Sequence, residues 1–463
     1  MKLAIPEEIR NTLLGIINKL NGNNSECFIV GGSVRDLILG RDVYDYDLAT
    51  DATPDVVMKL FSKALPTGIK HGTVTVIHNQ RAFEVTTYRA DGKYIDGRHP
   101  DNVTFSRTLK DDVKRRDFTI NGLAYDLVND KVIDYVEGIE DIRKGLIKTI
   151  GDPMDRFGED GLRPFRACRF AAKLNFLIDD GTFNAISQTL GVSKRVSVER
   201  IRDELVKMLE AEMPSVGLEY MRKSGLLGIV LPELQECYGV MQNKYHMFDV
   251  YHHSVYSCDS APRDDLILRI SALLHDIGKV PVRREGSDGE YTFYNHEVVG
   301  AKMTRKLMKR LKFSNEQIDR VNNLILNHMF HYTDDWTDGA VRRFMRKVGL
   351  ENLQDLFGLR LADRKGNGAR NGLPAPIEKL KKRINKVIEE ENAITVKDLD
   401  INGRIIMDEF GLKPGPVIGR ILNHLLEMVL DNPDINKRDF LIIKAGEYLN
   451  QDSAGGRSAS NDA

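Results

Sequence analysis

Asp45 and Asp47 stand one residue apart in the run DVYDYD, which follows Gly31-Gly32-Ser33 and Arg35. Carboxylates at i and i+2 of an extended strand project from one face, and such a pair binds divalent metal. The Gly31-Gly32 break lets the backbone come close to a ligand. A helix with Ser33 as its N-cap, stopping at Gly40, offers unpaired N–H groups to an anion. Arg35 adds a cation in the first helical turn. A phosphate cradle beside paired carboxylates is what nucleotidyl transfer requires, because two Mg²⁺ ions then clamp the attacking and leaving oxygens. A Gly-Gly turn alone is usually just a turn, and an Asp-x-Asp alone is usually a solvated strand end. It is their sequence of strand, Gly turn, helix and strand that carries the reading.

Further residues fit the same chemistry. Glu84 falls on the second strand of an expected hairpin, TVTVIHN and AFEVTTYR joined by Asn79-Gln80-Arg81, where a third carboxylate would complete the metal site or else be a surface residue. Residues 89–114 are rich in Gly, Asp, Lys and Arg in their first part and read as a mobile loop. Arg115-Arg116-Asp117, with Thr119 and Asn121, opens what reads as an apolar helical run; there Arg116 would hold phosphate, and Asp117 and Asn121 would meet ribose hydroxyls or triphosphate. In residues 159–174, Asp160, Arg163, Arg166, Arg169 and Lys173 recur every three or four positions, with Leu162, Phe165, Phe170 and Leu174 on the other side. A charge stripe is ordinarily a solvated face. Asp and Arg at i and i+3 can also read a base edge, the carboxylate accepting from an exocyclic amine and the guanidinium donating to a ring nitrogen. Adenine and cytosine share that pattern on the Watson–Crick edge, so such a pair accepts ATP and CTP and rejects GTP and UTP.

The second half carries a different set. His253 lies in FDVYHHSV, His275-Asp276 ends the apolar stretch DLILRISALL, His296 is in YNHEVVG, His328 in ILNHMF and Asp363 in RLADRKGNG. Single helical histidines are mostly packing residues. Adjacent His-Asp after an apolar helix, with further His on both sides and a late Asp, supplies nitrogen and oxygen ligands from several helices, suited to a mono- or dinuclear divalent site.

These residues need elements to position them, and the chain is long enough to supply several domains. It has 463 residues, and 67 Lys and Arg against 68 Asp and Glu give net charge −1, so polyanion binding must come from local patches. Candidate patches are 304–313, 341–347 and 378–386, together with Lys194, Arg195, Arg200 and Arg202, all equally readable as solvated helix faces. The four cysteines have no C-x-x-C spacing, which argues against a disulfide framework or zinc knuckle and fits a reducing compartment. The N-terminal MKLAIPEEIR has no apolar signal region, and no stretch reaches the roughly 18 apolar residues of a membrane span; the expected setting is cytoplasmic, with no membrane partner. EEIRNTLLGIINKL (7–20) is an amphipathic helix, Thr53-Pro54-Asp55 opens another helix to about Ala64, and 177–245 read as helices broken at Gly191, Pro214, Gly225 and Pro232. QDSAGGRSASNDA (451–463) lacks apolar anchors and is expected to be disordered.

With GGSVRD and DYD (31–36, 45–47), KHGTVTV (70–76), RRDFTINGLA (115–124) and EDGLRPFRACRFAAKL (159–174) in this order, the first 180 or so residues resemble the bacterial class II tRNA nucleotidyltransferases, the CCA-adding enzyme and poly(A) polymerase family. The resemblance implies metal binding by Asp45 and Asp47, triphosphate binding by Gly31, Gly32 and Arg35, and ribose and phosphate contacts from Arg116, Asp117 and Asn121. It also implies base templating by Asp160 and Arg163, assisted by Arg166. Residues 246–370 resemble the HD-domain phosphohydrolases, with His253, His275, Asp276 and Asp363 on the defining pattern and His296 and His328 as additional ligands. The implied fold is α+β: a small mixed nucleotidyltransferase sheet with helices (1–150), a helical neck and body (151–245), a helical HD metal domain (246–390), a helical tail (391–450) and a disordered end (451–463). The implied partners are tRNA, CTP and ATP, with Mg²⁺ at the first site and a divalent transition metal at the second. Poly(A) synthesis, or A-only or CC-only addition, shares these motifs. An HD hydrolase with an N-terminal nucleotide- or RNA-binding module, and a non-catalytic RNA scaffold, are the readings of other classes.

Overall fold

In the computed structural model the described residues are 1–91, 103–243, 247–287, 289–368, 374–390 and 395–455. They form two compact units: Met1–Tyr238 with Leu307–Lys312, and the rest from Gly239 onward.

The first unit is built on β-branched and apolar runs too short for helices. Its strands are β1 (Cys27–Val30), β2 (Asp47–Thr50), β3 (Ala64–Gly68), β4 (Thr73–His78), β5 (Arg81–Thr87), β6 (Arg89–Asp91), β7 (Val103–Phe105), β8 (Leu123–Asp126) and β9 (Lys131–Asp134), followed by the short parallel pair β10 (Leu146–Ile147) and β11 (Leu177–Ile178). Seven form a mixed sheet in the order β3-β4-β5-β2-β1-β8-β9, and β6 pairs with β7 apart from it. All neighbours in the large sheet are antiparallel except β2 and β5, where Leu48, Ala49 and Thr50 pair with Val85, Thr86 and Thr87. The β4–β5 hairpin turns on Asn79-Gln80, both at positive φ (47° and 63°), the type I′ geometry that matches strand twist; Arg81 already belongs to β5. Helix Glu7–Asn21 follows Pro6, carries Glu7 and Glu8 in its first turn and Lys19 in its last, and buries Leu13, Ile16, Ile17 and Leu20 against β1 and its surroundings.

Several local expectations are corrected. Ser33 is not an N-cap: the helix is Gly32–Ile38, Gly31 caps it at φ 76°, and the Ser33 hydroxyl donates to Val30 O at 2.9 Å. Asp47 is the first residue of β2, whereas Asp45 lies in the extended segment before it. The helix after Thr53 ends at Leu60, because residues 64–68 are taken up as an edge strand pairing β4. Residues 115–124 do not begin a helix. Arg115 caps the helix Leu109–Lys114, Thr119–Asn121 make one 3₁₀ turn, and β8 starts at Leu123, whose apolar neighbours are strand core. Of the expected loop at 89–114, residues 92–102 lie outside the described residues, and the remainder is β6, β7 and that helix. Asp160 lies in the break between helices Pro153–Glu159 and Arg163–Leu174, with its side chain accepting from Leu162 N at 3.0 Å. Gly191 sits inside the turn Leu190–Ser193 and breaks nothing.

Among the described residues the regular structure of the second unit is helical apart from a ribbon that pairs Arg284–Glu285 with Tyr291–Thr292. Helices Val250–Ser260, Leu266–Leu274, Asn315–Asn327 and Leu353–Gly366 pack on one another. A further apolar core unites Leu399, Ile401 and Ile406 with Ile421, Leu425, Val429, Leu430 and Leu441. The last helix, Arg438–Gly455, runs past position 451, where disorder was expected; residues 456–463 lie outside the described residues. Among the described residues no helix is long and apolar enough to cross a membrane.

Ile29 is fully buried on β1, which has hydrogen-bonded neighbours on both sides. Ile29→Ala is expected to destabilise the first unit by about 2–5 kcal/mol, read as a lower chemical-denaturation midpoint for that unit.

Candidate active sites

The first unit holds a cavity of about 610 Å³ whose walls include Gly31, Gly32, Arg35, Asp45, Asp47, Arg116, Asp117, Asn121, Asp160, Arg163 and Arg166. All the residues singled out in the first 180 positions therefore meet in one place, apart from Glu84. Gly31 is required twice over. Its φ of 76° disfavours other residues, and a Cβ there would stand 3.0 Å from Arg116 Nη1 and 4.0 Å from Asp47 Oδ2. Arg116 is aimed by Asp112, which is 1% exposed and accepts from Arg116 Nε and Nη2 (3.3 and 3.0 Å) and from Arg115 Nε and Nη2 (2.9 and 2.6 Å). Sequence reasoning passed over Asp112, although its i+3 and i+4 spacing to the two arginines was there to be read.

Burial pushes the Asp47 carboxyl up, and the charges of Glu84 and Asp45 push the same way, while Arg116 opposes them. Glu84 is exposed on β5, one step before the Leu48–Val85 pair, and does not line the cavity, but its field reaches Asp47. Like charges gathered around the Asp47 carboxylate fit a divalent cation, whose charge would relieve the repulsion.

A chain of side chains crosses from the sheet to the helix Arg163–Leu174. Arg35 is buried and forked onto Asp36 (2.8 and 2.9 Å), with Nη1 donating to Asn121 Oδ1 at 2.6 Å. Asn121 Nδ2 donates to Asp117 Oδ1 (3.2 Å), and Asp117 Oδ2 accepts from Arg166 (2.7 Å). Beyond them Glu204 accepts from Arg169 Nε at 2.5 Å and lies 3.7 Å from Arg166 Nη1. The cationic stripe is thus not a solvated face: Arg163 and Arg169 are buried and each arginine has a carboxylate. Burial would raise the Asp117 carboxyl, but Arg166 and Asn121 outweigh it and bring it down to about 2. Burial also lowers the Arg35 guanidinium, against the pull of Asp36.

Asp160 and Arg163 face the cavity already engaged with protein. Asp160 Oδ2 accepts from Arg200 at 3.0 Å. Arg163 gives Nη1 to Arg156 O (2.9 Å) and Glu159 (2.5 Å) and Nη2 to Arg115 O (3.1 Å), which leaves its Nε–H and one Nη2–H for a ligand. Neither Glu159 nor Arg200 was singled out as the residue fixing this pair.

In the second unit, His253, His275, Asp276, His296, His328 and Asp363 converge. His253 Nε2 lies 3.2 Å from both His275 Nε2 and Asp363 Oδ1; Asp276 Oδ2 is 3.2 Å from His275 Nε2; and Asp276 Oδ1 is 3.4 Å from His296 Nε2. His296 Nε2 and His328 Nε2 are 3.3 Å apart. The Nδ1 atoms of His275, His296 and His328 sit 2.8, 2.8 and 2.6 Å from the carbonyls of Ala272, Phe293 and Ile325. A carbonyl only accepts, so each Nδ1 carries the proton, and in the neutral ring the Nε2 lone pair points inward. Burial drives His328 down to about 3 and lowers His296 as well, keeping both neutral. Burial opposes charge on His275 too, but Asp276 and Asp363 outweigh it and raise its pKa. Inward lone pairs among carboxylates fit a cation, and two three-residue groups, His253/His275/Asp363 and His275/Asp276/His328, have ligand atoms close enough to share one. Lys279 holds Asp276 Oδ2 (2.6 Å) and Gln242 (2.7 Å), and Arg360 holds Asp363 (2.8 Å); the i+3 spacing in HDIGK and RLAD was legible but not used. The adjoining cavity, about 690 Å³, also presents Arg364, whose Nε–H is buried without a partner among the described residues.

Comparison with known proteins follows this geometry. The model of the poly(A) polymerase head domain matches residues 27–148, that of the probable RNA- and SrmB-binding site of polymerase A matches 175–238, and that of the HD domain matches 244–367. The class is therefore a head-type nucleotidyltransferase joined to an HD domain, both of which imply dependence on divalent metal. The CCA-adding enzyme of Ligilactobacillus salivarius is 30% identical over 447 residues, covering 96% of this chain and 98% of that one, and the Lactococcus lactis enzyme is 31% identical over 97% and 100%. The crystal structure of the Bacillus stearothermophilus CCA-adding enzyme in complex with CTP is 27% identical, with a TM-score of 0.75 over 97% of this chain and all of that one. A Thermotoga maritima CCA-adding enzyme complexed with tRNA shares the fold, at 20% identity and a TM-score of 0.57. The chain belongs to the CCA-adding enzyme family.

Because the folded Asp117 carboxyl titrates near 2, below its unfolded value of roughly 3.9, its stabilising contribution is full above about pH 4 and is lost as pH falls toward 2. Asp117→Asn is expected to flatten the acid limb of the first unit's stability curve, measured by circular dichroism. A Cβ at Gly278 would lie 2.1 Å from His296 O and 2.5 Å from Gly300 N. Gly278→Ala is therefore expected to part the His275 and His296 segments and to destabilise the second unit, read as a lower chemical-denaturation midpoint.

Proposed function

We propose that the protein adds C, C and A to tRNA 3′ ends from CTP and ATP without a nucleic-acid template, releasing pyrophosphate. The observation that carries this reading is that one cavity collects a carboxylate pair, a glycine turn, a guanidinium network and the Asp160–Arg163 pair. Asp45 and Asp47 would hold Mg²⁺, with Glu84 tuning Asp47. When bound, the metal activates the RNA 3′-hydroxyl and neutralises the leaving pyrophosphate. The Gly31-Gly32 turn admits the triphosphate. Arg116, held by Asp112, and Arg35, held by Asp36 and Asn121, meet its oxygens, and Asp117 and Asn121 are placed for the ribose. Asp160 accepts from the amine that adenine and cytosine share, and the remaining N–H groups of Arg163 donate to the ring nitrogen. Arg166 steadies this face through Asp117. In this reading 1–150 is the head, 151–245 the neck and body, 246–390 the HD domain and 391–450 the tail, and the enzyme works in the cytoplasm.

The second unit supports a second activity: a divalent transition metal on His253, His275, Asp276, His296, His328 and Asp363, hydrolysing a phosphate ester held by Arg364.

Purified protein incubated with tRNA ending at the discriminator base and all four nucleotides is expected to yield products whose sequence ends in CCA. A homopolymeric A tail, a lone A or a stop at CC would assign it to the related activities instead. Asp45→Ala with Asp47→Ala is expected to cut extension by about a thousandfold or more while sparing hydrolysis at the second unit. Arg163→Ala is expected to relax the preference for CTP and ATP over GTP and UTP by about tenfold or more at unchanged metal dependence.

A further inference from the structure

The cavity of the first unit is polar on nearly every side. Among the described residues its walls carry Val43, Tyr44 and Phe170 as apolar or aromatic side chains and are otherwise glycine or polar. Phe170 presents no free ring. It is 5% exposed, the guanidinium carbons of Arg35, Arg166 and Arg169 stand 5.1, 5.4 and 4.0 Å from its centroid, and Phe118 meets it edge-on at 5.8 Å. Tyr44 is the opposite case. It is 85% exposed, more than any other large apolar or aromatic side chain among the described residues, and among those residues no cation or second ring covers it.

A single exposed aromatic is ordinary on a protein surface. What sets this one apart is its placement. Strict alternation through Asp45 and Asp47 would put Tyr44 on the side of Tyr46, which is 4% exposed. Strand β2 begins only at Asp47, so residues 41–46 escape the pairing that enforces alternation, and Tyr44 stands in the cavity wall together with Asp45 and Asp47.

Two nucleotides must meet at this carboxylate pair in the reaction proposed above. The incoming one has its phosphates met by Arg35 and Arg116, its ribose by Asp117 and Asn121, and its base by Asp160 and Arg163. The other is the 3′-terminal nucleotide of the RNA, which must bring its hydroxyl to a metal on Asp45 and Asp47. Its base has no partner yet, and Tyr44 directly precedes Asp45. That base also changes during the reaction: it is the discriminator base in the first addition and C in the next two. Donors and acceptors fixed for one base would stand unpaired against another, whereas a ring stacks on the face of every base.

We propose that Tyr44 is the stacking platform for the 3′-terminal base of the RNA acceptor, so that one site takes every acceptor end while Asp160 and Arg163 select what is added. The inference rests on the nucleotidyl-transfer reading given above.

Full-length protein with Mg²⁺ is assayed for addition of the first C, varying tRNA at saturating CTP and then CTP at saturating tRNA. Tyr44→Ala is expected to raise KM for tRNA about tenfold while KM for CTP stays within about twofold, and Tyr44→Phe and Tyr44→Trp are expected to keep both near the wild-type values. A tRNA whose 3′-terminal nucleotide lacks its base is expected to carry the same penalty with the wild-type protein and no further penalty with Tyr44→Ala, a pattern that misfolding of the variant does not produce. A rise in KM for CTP with KM for tRNA unchanged puts the ring on the incoming nucleotide and overturns the proposal. So do both constants unchanged in Tyr44→Ala, a loss shared by Tyr44→Phe, or penalties that add. Absence of extension of any tRNA by the wild-type protein overturns the nucleotidyl-transfer reading and the proposal with it.

Discussion

The ion pair between Asp117 and Arg166 ties the sheet to the helix that follows it. Asp117 is buried, and an isolated carboxylate there would be strongly disfavoured. Arg166 neutralises it from one side, and Asn121 passes the other oxygen's polarity on to Arg35. The glycine turn, the arginines and the base-facing segment are thereby set relative to one another by hydrogen bonds that cannot slide independently. Removing Arg166 strands the buried Asp117 carboxylate without its cation, a cost larger than the net gain of an ordinary hydrogen bond. Asp112 does the same for Arg116, so that cation too is pre-positioned by a buried carboxylate.

The second unit solves the converse problem. Its polar groups are held by backbone carbonyls in the tautomer that leaves lone pairs facing inward, and burial keeps His296 and His328 from charging. Such a cluster is costly as a set of protein groups and favourable around a cation, so the fold carries the cost of preorganisation in the apoprotein. The candidate ligands come from the ends of helices as well as their middles: His275 and His328 are the capping residues of Leu266–Leu274 and Asn315–Asn327.

Much of this was legible before the structure. Residue types indicated which atoms could do chemistry: Asp45 and Asp47 line one cavity with the Gly31-Gly32 break, and the six candidate ligands of the second unit converge, although Asp45 lies before the strand on which it was expected. What failed was local geometry at the joints. Apolar residues after Arg116 read as helix, yet they are the buried strand β8, because a short apolar run does not distinguish the two. Asp160 looked like the first turn of a helix and is a break between two, where its side chain takes the backbone N–H of Leu162. The ion pairs of Arg166 with Asp117 and of Arg169 with Glu204 join residues far apart along the chain, and pairing of that kind leaves no periodic trace in the sequence. The supports Asp112, Lys279 and Arg360 did leave one, at i+3 and i+4, and were overlooked beside the residues they hold.

The lone parallel pair in the sheet bears on how the molecule comes into being. β1 and β2 are joined through the helix Gly32–Ile38, but β2 acquires its other neighbour only when β5 returns alongside it, and β1 waits for β8. These are contacts of long sequence separation, the kind that slow folding because loop entropy is lost before any pairing is gained. The strands that carry the glycine turn and the carboxylates are therefore completed late, after residues well past the cavity's first half have been made and folded back. A partly synthesised head would display its acidic pair on an open sheet edge, with neither the field of Glu84 nor the reach of Arg116 beside it. Chemical competence and completion of the sheet are in this way one event.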